Sequence, residues 1–214
     1  MTNLDLCFFG SEYIVNYLRF HPVGWSDLHL SRRGGVGDQA GVTPTPAVAE
    51  FLTLLKQNGD LFTQREYEEH CRGVWCEWFN RLQEHHQRGV VAKLNNNFYP
   101  SMIDTLHVYA LLVEERIGDC YIVSPEMDAR DKIDLIVRIN GLNIGLALIG
   151  PTDDADHDRA YKTERRPGIA DDQVIVLKLP NARPRAPGNK RWYGIEDLTV
   201  LFDFIERAES RWIE

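Results

Sequence analysis

The chain has 214 residues, 43% of them hydrophobic, with 24 Lys and Arg against 32 Asp and Glu and hence a formal net charge of −8. That length suits one domain, or a core with a modest extension, and it buries a core without a disulfide or metal staple. The balance excludes collagen, coiled coil and wholesale disorder. No apolar run approaches the ~18 residues of a membrane helix, and Met1–Cys7 lacks the basic start of a secretory signal, so a soluble, cytoplasmic protein is expected.

In chain order, Leu4–Phe20 predicts a short helix that stops before His21-Pro22, because the residue before a proline avoids the helical region. Ser31–Pro46 predicts a loop. Its GGVG run is no phosphate cradle, since GxxxxGK[ST] is missing and no strand precedes it. Ala47–Gln57 places Val48, Phe51, Leu52 and Leu55 on one helical stripe that Asn58-Gly59 ends. Thr63 and Glu66 have the spacing of a capping box. The helix they open is expected to run to about Gln87 and to bury Tyr67, Val74, Trp75, Trp78, Phe79 and Leu82. Residues 1–95 therefore form a mainly helical region, and its aromatic stripes serve as core or as the docking face of a protein partner.

Four cysteines (Cys7, Cys71, Cys76 and Cys120) lack any CxxC pairing. Cys71 and Cys76 stand near His70, His85 and His86, but the second half of a zinc site is absent. Buried thiols and surface histidines are expected instead.

Residues 96–214 predict an α/β unit. Ser101 is expected to cap a helix carrying Ile103, Leu106, Ala110, Val113 and Ile117, closing at Gly118. Cys120–Val123 is a short strand, Ile133–Ile139 a second, and Asn140-Gly141 is a hairpin signal leading into a third at Leu142–Ile149. Glu126 and Asp128 fall in the loop before the second strand. Asp156–Arg165 predicts a crossover helix. Gln173–Leu179 is a fourth strand, apolar throughout as interior strands are, and Ile195–Trp212 is a closing amphipathic helix.

This order resembles the αβββαβ core of the PD-(D/E)XK, or restriction-endonuclease-like, superfamily, over roughly residues 100–180. The resemblance implies a mixed sheet, action on nucleic acid (DNA in preference to RNA), and Mg²⁺ held by carboxylates from neighbouring elements. In a defence system or mobile element such a site cleaves phosphodiesters. It assigns Asp134, at the start of the second strand, and Asp104, on the first helix, as metal ligands and catalytic groups. The alternatives are a strand-end Asp satisfied by backbone or Lys132, and a first-turn acid stabilised by the helix dipole. The third strand departs from the pattern: Ala147-Leu148-Ile149 stands where (D/E)-x-K belongs. Either the fold is non-catalytic, serving as a nucleic-acid-binding or assembly subunit, or the groups have moved. Asp153 would then supply the ligand and Lys162 the cation.

Charge is unevenly spread. Between Arg159 and Arg191 nine bases face three acids, +6, which leaves −14 elsewhere. Arg159, Lys162, Arg165 and Arg166 come first, then Arg183, Arg185, Lys190 and Arg191 beside Trp192. Bases interleaved with aromatics suit phosphate contact and base stacking, or else form a solvated loop anchored by a core Trp.

Overall fold

Helix α1 spans Ser11–Phe20 in the computed structural model, which describes residues 9–22, 30, 35–131, 133–149, 174–180 and 194–211. It ends before the His21-Pro22 step as expected, and the serine at its start is held by Glu114, whose carboxylate accepts from the Ser11 amide at 2.7 Å. A single helical turn, α2 (Val36–Gln39), and the start of α3 (Pro44–Asn58) fall where a loop was expected. Pro44 and Pro46 sit in the first turn of α3, where an absent N–H breaks no hydrogen bond. Gly59 closes that helix at φ +63°.

The capping box is complete. Thr63 N donates to Glu66 Oε2 at 2.6 Å, and Glu66 N donates to Thr63 Oγ1 at 3.2 Å. The helix it opens is shorter than the stripe implied: α4 covers Gln64–Val74, α5 Cys76–Phe79 and α6 Glu84–Lys93. Trp75 leaves the helical region at φ −98°, ψ 19°. The next turn is tied by Gln87, whose Nε2 donates to the carbonyls of Phe79 and Leu82, both at 3.1 Å. The expected core stripe is corrected: Val74 and Trp78 are 54% and 37% exposed and Trp75 and Leu82 only half-buried, while Tyr67 and Phe79 stay buried.

From Glu84 the backbone then remains helical through a π turn, Leu94–Phe98, into α7 (Tyr99–Glu114). Ser101 is therefore inside a helix and caps nothing. The wider π turn just before Pro100 accommodates a ring that would otherwise strike the carbonyl four residues back. This run passes through positions 95 and 96 without interruption.

The sheet follows. β1 (Asp119–Ile122), β2 (Leu135–Ile139) and β3 (Leu142–Ile149) form an antiparallel meander, and β4 (Val174–Pro180) pairs parallel to β3, in the order β1-β2-β3-β4. Asn140 and Gly141 make the β2–β3 turn at φ 50° and 82°. Positive φ at both central residues is the twist-matched hairpin geometry that Asn-Gly favours. β4 lies at the end of this order, not within it, and α9 (Thr199–Arg211) packs against it after a short 3₁₀ turn, Ile195–Leu198. The crossover expected over 156–165 lies outside the described residues. A short helix, α8 (Pro125–Asp131), stands where a loop was expected, so Glu126 and Asp128 are helical residues. Its start is legible in hindsight: Ser124 Oγ accepts from Met127 N at 3.3 Å, with proline and acid in the first turn.

Two cores result. Phe51, Phe62, Tyr67 and Tyr99 are buried together, with centroids 4.7–6.2 Å apart. Their hydroxyls are satisfied, Tyr67 donating to Ala47 O at 2.8 Å and Tyr99 to Phe62 O at 2.7 Å. The second core is aliphatic: Val108 and Leu112 of α7 meet Leu135, Val137, Ile144 and Leu146 of the sheet, with Leu198 and Leu201. No helix among the described residues is long and apolar enough to cross a membrane.

Candidate functional site

Asp134 stands between two fully buried residues, Ile133 and Leu135, and is itself half-buried. An aspartate there must place its polar atoms on defined partners, and three are fixed. Its amide donates to Leu146 O at 2.8 Å, its carbonyl accepts from Val123 N at 3.5 Å, and its Oδ2 accepts from Leu148 N at 2.7 Å. Leu146 is also the register partner of Leu135. Two consecutive residues thus face one, the arrangement of a β-bulge, a device that re-aims a side chain. Here the bulge turns the carboxylate onto the neighbouring strand, where it accepts the Leu148 amide.

The remainder of the family pattern is apolar. Gly145, Leu146 and Ala147 are buried and Leu148 half-buried. Lys178 of β4 is the register partner of Ala147. Asp104 lies within α7, many residues from any free helix end, so the first-turn dipole reading of it does not hold; its Oδ1 is buried. Asp153, Lys162, Arg159, Arg165, Arg166, Arg183, Arg185, Lys190, Arg191 and Trp192 lie outside the described residues. Among the described residues, no three His, Cys, Asp or Glu side chains gather as a metal site. The described residues therefore do not by themselves fit Mg²⁺, and no step is derived through it.

Strand pairing places the ends of the undescribed stretches. Ile122 pairs with Leu135, Leu148 with Leu179 and Ile149 with Pro180. The end of β1, the start of β2, and the ends of β3 and β4 thus share one end of the sheet, with Asp134 among them. Residues 150 and 181 follow the ends of β3 and β4 at this end of the sheet, whereas residue 173 precedes Val174 at the opposite end, where Val174 pairs with Asn143. The basic residues of the window other than Lys178 lie outside the described residues.

The cysteine–histidine group is dispersed. His70 Nε2 lies 2.8 Å from Glu50 Oε2, joining α4 to α3. Cys71 is buried and Cys76 exposed. Burial pushes the Cys71 and Cys120 thiols up to about 12, so neither is a ready nucleophile. The rings of His85 and His86 lie 4.0 Å apart, tilted by 38°.

Sequence reasoning missed a buried polar stretch around the π turn. Asn95, Asn96, Thr105 and His107 are all less than 8% exposed. Asn95 Nδ2 donates to Glu68 Oε2 at 2.9 Å, and its carbonyl accepts from Gln64 Nε2 at 2.7 Å. The available signal was Asn95-Asn96-Asn97, three poor helix formers inside an apolar helical pattern. Compared with known proteins, the chain matches no family model, no curated protein and no solved structure.

Proposed function

We propose that this chain is a nucleic-acid-binding protein on a restriction-endonuclease-like core, taking DNA in preference to RNA, and that the described part of the core is non-catalytic. The observation that carries the reading is the shared sheet end. β3 and β4 both finish there, each followed in the sequence by a basic segment, and the carboxylate best placed for metal chemistry there accepts a main-chain amide. A meander followed by a parallel fourth strand, beside the long α7, supports the nuclease-like core. The apolar Ala147-Leu148-Ile149 supports binding over cleavage, and the +6 window on a −8 chain supplies a local anionic partner site.

The test is duplex DNA binding followed by anisotropy across a salt series. Each phosphate neutralised contributes about −0.9 to the slope of log affinity against log salt, so Lys190→Ala with Arg191→Ala flattens it by about 1–2 units. Trp192→Ala weakens single-strand binding with little change in slope, because stacking releases no counterions. A slope unchanged in the double variant refutes this interface. Mg²⁺- or Mn²⁺-dependent cleavage lost in Asp134→Asn refutes the non-catalytic assignment.

A further inference from the structure

We infer that Asp134 is a positioning residue that substitutes for a main-chain acceptor and fixes the end of the sheet at which β3 and β4 finish. Its use for the interface rests on the nucleic-acid reading above; its bond to β3 does not.

The bulge makes this role necessary. In a regular antiparallel ladder the Leu148 amide would meet a carbonyl of the neighbouring strand. With Asp134 and Leu135 both opposite Leu146, that ladder is interrupted one step later. The Leu148 N–H still points towards β2 and is only half-exposed, so it needs an acceptor. Asp134 Oδ2 provides it at 2.7 Å, the length of a charge-assisted bond.

Its main chain does as much. The amide holds Leu146 of β3 and the carbonyl holds Val123 just beyond β1, so one residue links both neighbouring strands. One residue beyond Leu148, Ile149 pairs with Pro180, the last residues of β3 and β4. The hold of β2 on the end of β3 therefore includes a side chain that a one-atom change can test. A metal ligand needs the carboxylate charge. A ladder acceptor needs an sp² oxygen at the same place, which asparagine also offers.

The experiment compares Asp134→Asn and Asp134→Ala in the full chain by amide hydrogen exchange, read at Leu148, and by duplex DNA affinity at fixed salt. A bond to a charged acceptor corresponds to roughly a tenfold to hundredfold change in local opening. Asp134→Ala is expected to speed Leu148 exchange by about tenfold or more, with Asp134→Asn much closer to wild type. Affinity follows the same order, weaker in Ala and retained in Asn.

Simple electrostatics predicts the opposite sign for Ala, since removing a negative charge near DNA strengthens binding. Stronger binding in both variants overturns the positioning role at the interface. Leu148 exchange that is unchanged in Ala, or equally fast in Asn and Ala, overturns the acceptor role itself. If Asp134→Ala does not fold, the Asn variant alone decides: wild-type exchange at Leu148 supports the role, and tenfold faster exchange refutes it. If wild type binds no DNA, the nucleic-acid reading fails, and Leu148 exchange still decides the role of Asp134.

Discussion

The two larger cores among the described residues are held together by different means. Around Phe51, Phe62, Tyr67 and Tyr99 the packing is aromatic, and two hydroxyls are pinned to carbonyls on other elements. Around Leu135, Val137, Ile144 and Leu146 it is aliphatic, and direction comes from the ladder. Helix α7 belongs to both: Tyr99, Met102, Ile103, Leu106 and Ala110 face the first, Val108 and Leu112 the second. The difference shows where polar specificity enters a core. In the helical part it comes from side chains, and in the sheet from the main chain, with Asp134 the point at which a side chain takes over the main chain's task.

The largest expected effect probes whether α7 couples the two. Tyr99→Ala removes a fully buried ring and its hydrogen bond and should cost about 3–5 kcal/mol; Leu146→Ala should cost about 2–5. Cys71 and Cys120, one thiol in each part, report on each separately, because Cys71 is buried and Cys120 half-buried while Cys76 is exposed. With Cys7 and Cys76 replaced by Ser, thiol labelling through a urea series is the measurement. One cooperative unit requires both thiols to become reactive at the same urea concentration in either variant. If Tyr99→Ala releases Cys71 well before Cys120, α7 does not join the two parts into one unit.

A smaller effect lies within the helical part, where main chains approach directly. Gly37 of α2 and Gly89 of α6 cross so closely that a Cβ on Gly89 would lie 2.7 Å from Gly37 N and 2.8 Å from Val36 C. The contact is backbone on backbone and has no flexible end to yield. Lys93 holds the same crossing, ion-paired with Asp38 and donating to Val42 O at 3.3 Å. Gly89→Ala should cost about 1–3 kcal/mol by chemical denaturation. Gly73→Ala meets nothing within 4 Å and should instead gain up to about 1 kcal/mol from helix propensity. If both glycines respond alike, propensity governs and the crossing is not tightly packed.

Legibility in the sequence follows the range of the interaction. The capping box at Thr63, the stop at Gly59 and the Asn140-Gly141 turn are local devices whose residues lie within a few positions of one another, and each stands where its residues predict. The passage through Pro100 is not legible, because a proline normally opens a helix and the π turn that absorbs it has no periodic signature. Trp78 reads as core because its stripe assumes an unbroken helix, whereas the backbone breaks at Trp75 and the turn after Phe79 is tied by Gln87, which no stripe encodes. At the candidate site the sequence marked Asp134 as a carboxylate out of place in an apolar strand. It did not reveal the bulge, since which residues of β3 face position 134 is a matter of register between two strands.

The smallest effect sharpens the contrast on the helical side, where a side chain also completes main-chain bonding. The Glu66 carboxyl is held below its ordinary value, first by the hydrogen bond from the Thr63 amide and then by that from its hydroxyl. A depressed carboxyl contributes stability that is present above its unfolded value and lost as pH falls through the folded one. Thr63→Ala removes the hydroxyl that receives the Glu66 amide but leaves the Thr63 amide bond to Glu66 available. It should cost about 1 kcal/mol at neutral pH. Because the hydroxyl contribution to the carboxyl shift goes with it, the variant should also lose less stability than wild type between neutral pH and pH 3. Denaturant unfolding at the two pH values measures both effects. An equal acid loss in wild type and variant would mean that the hydroxyl contributes nothing to the ionised state of Glu66, and that the cap acts through the two main-chain amides alone.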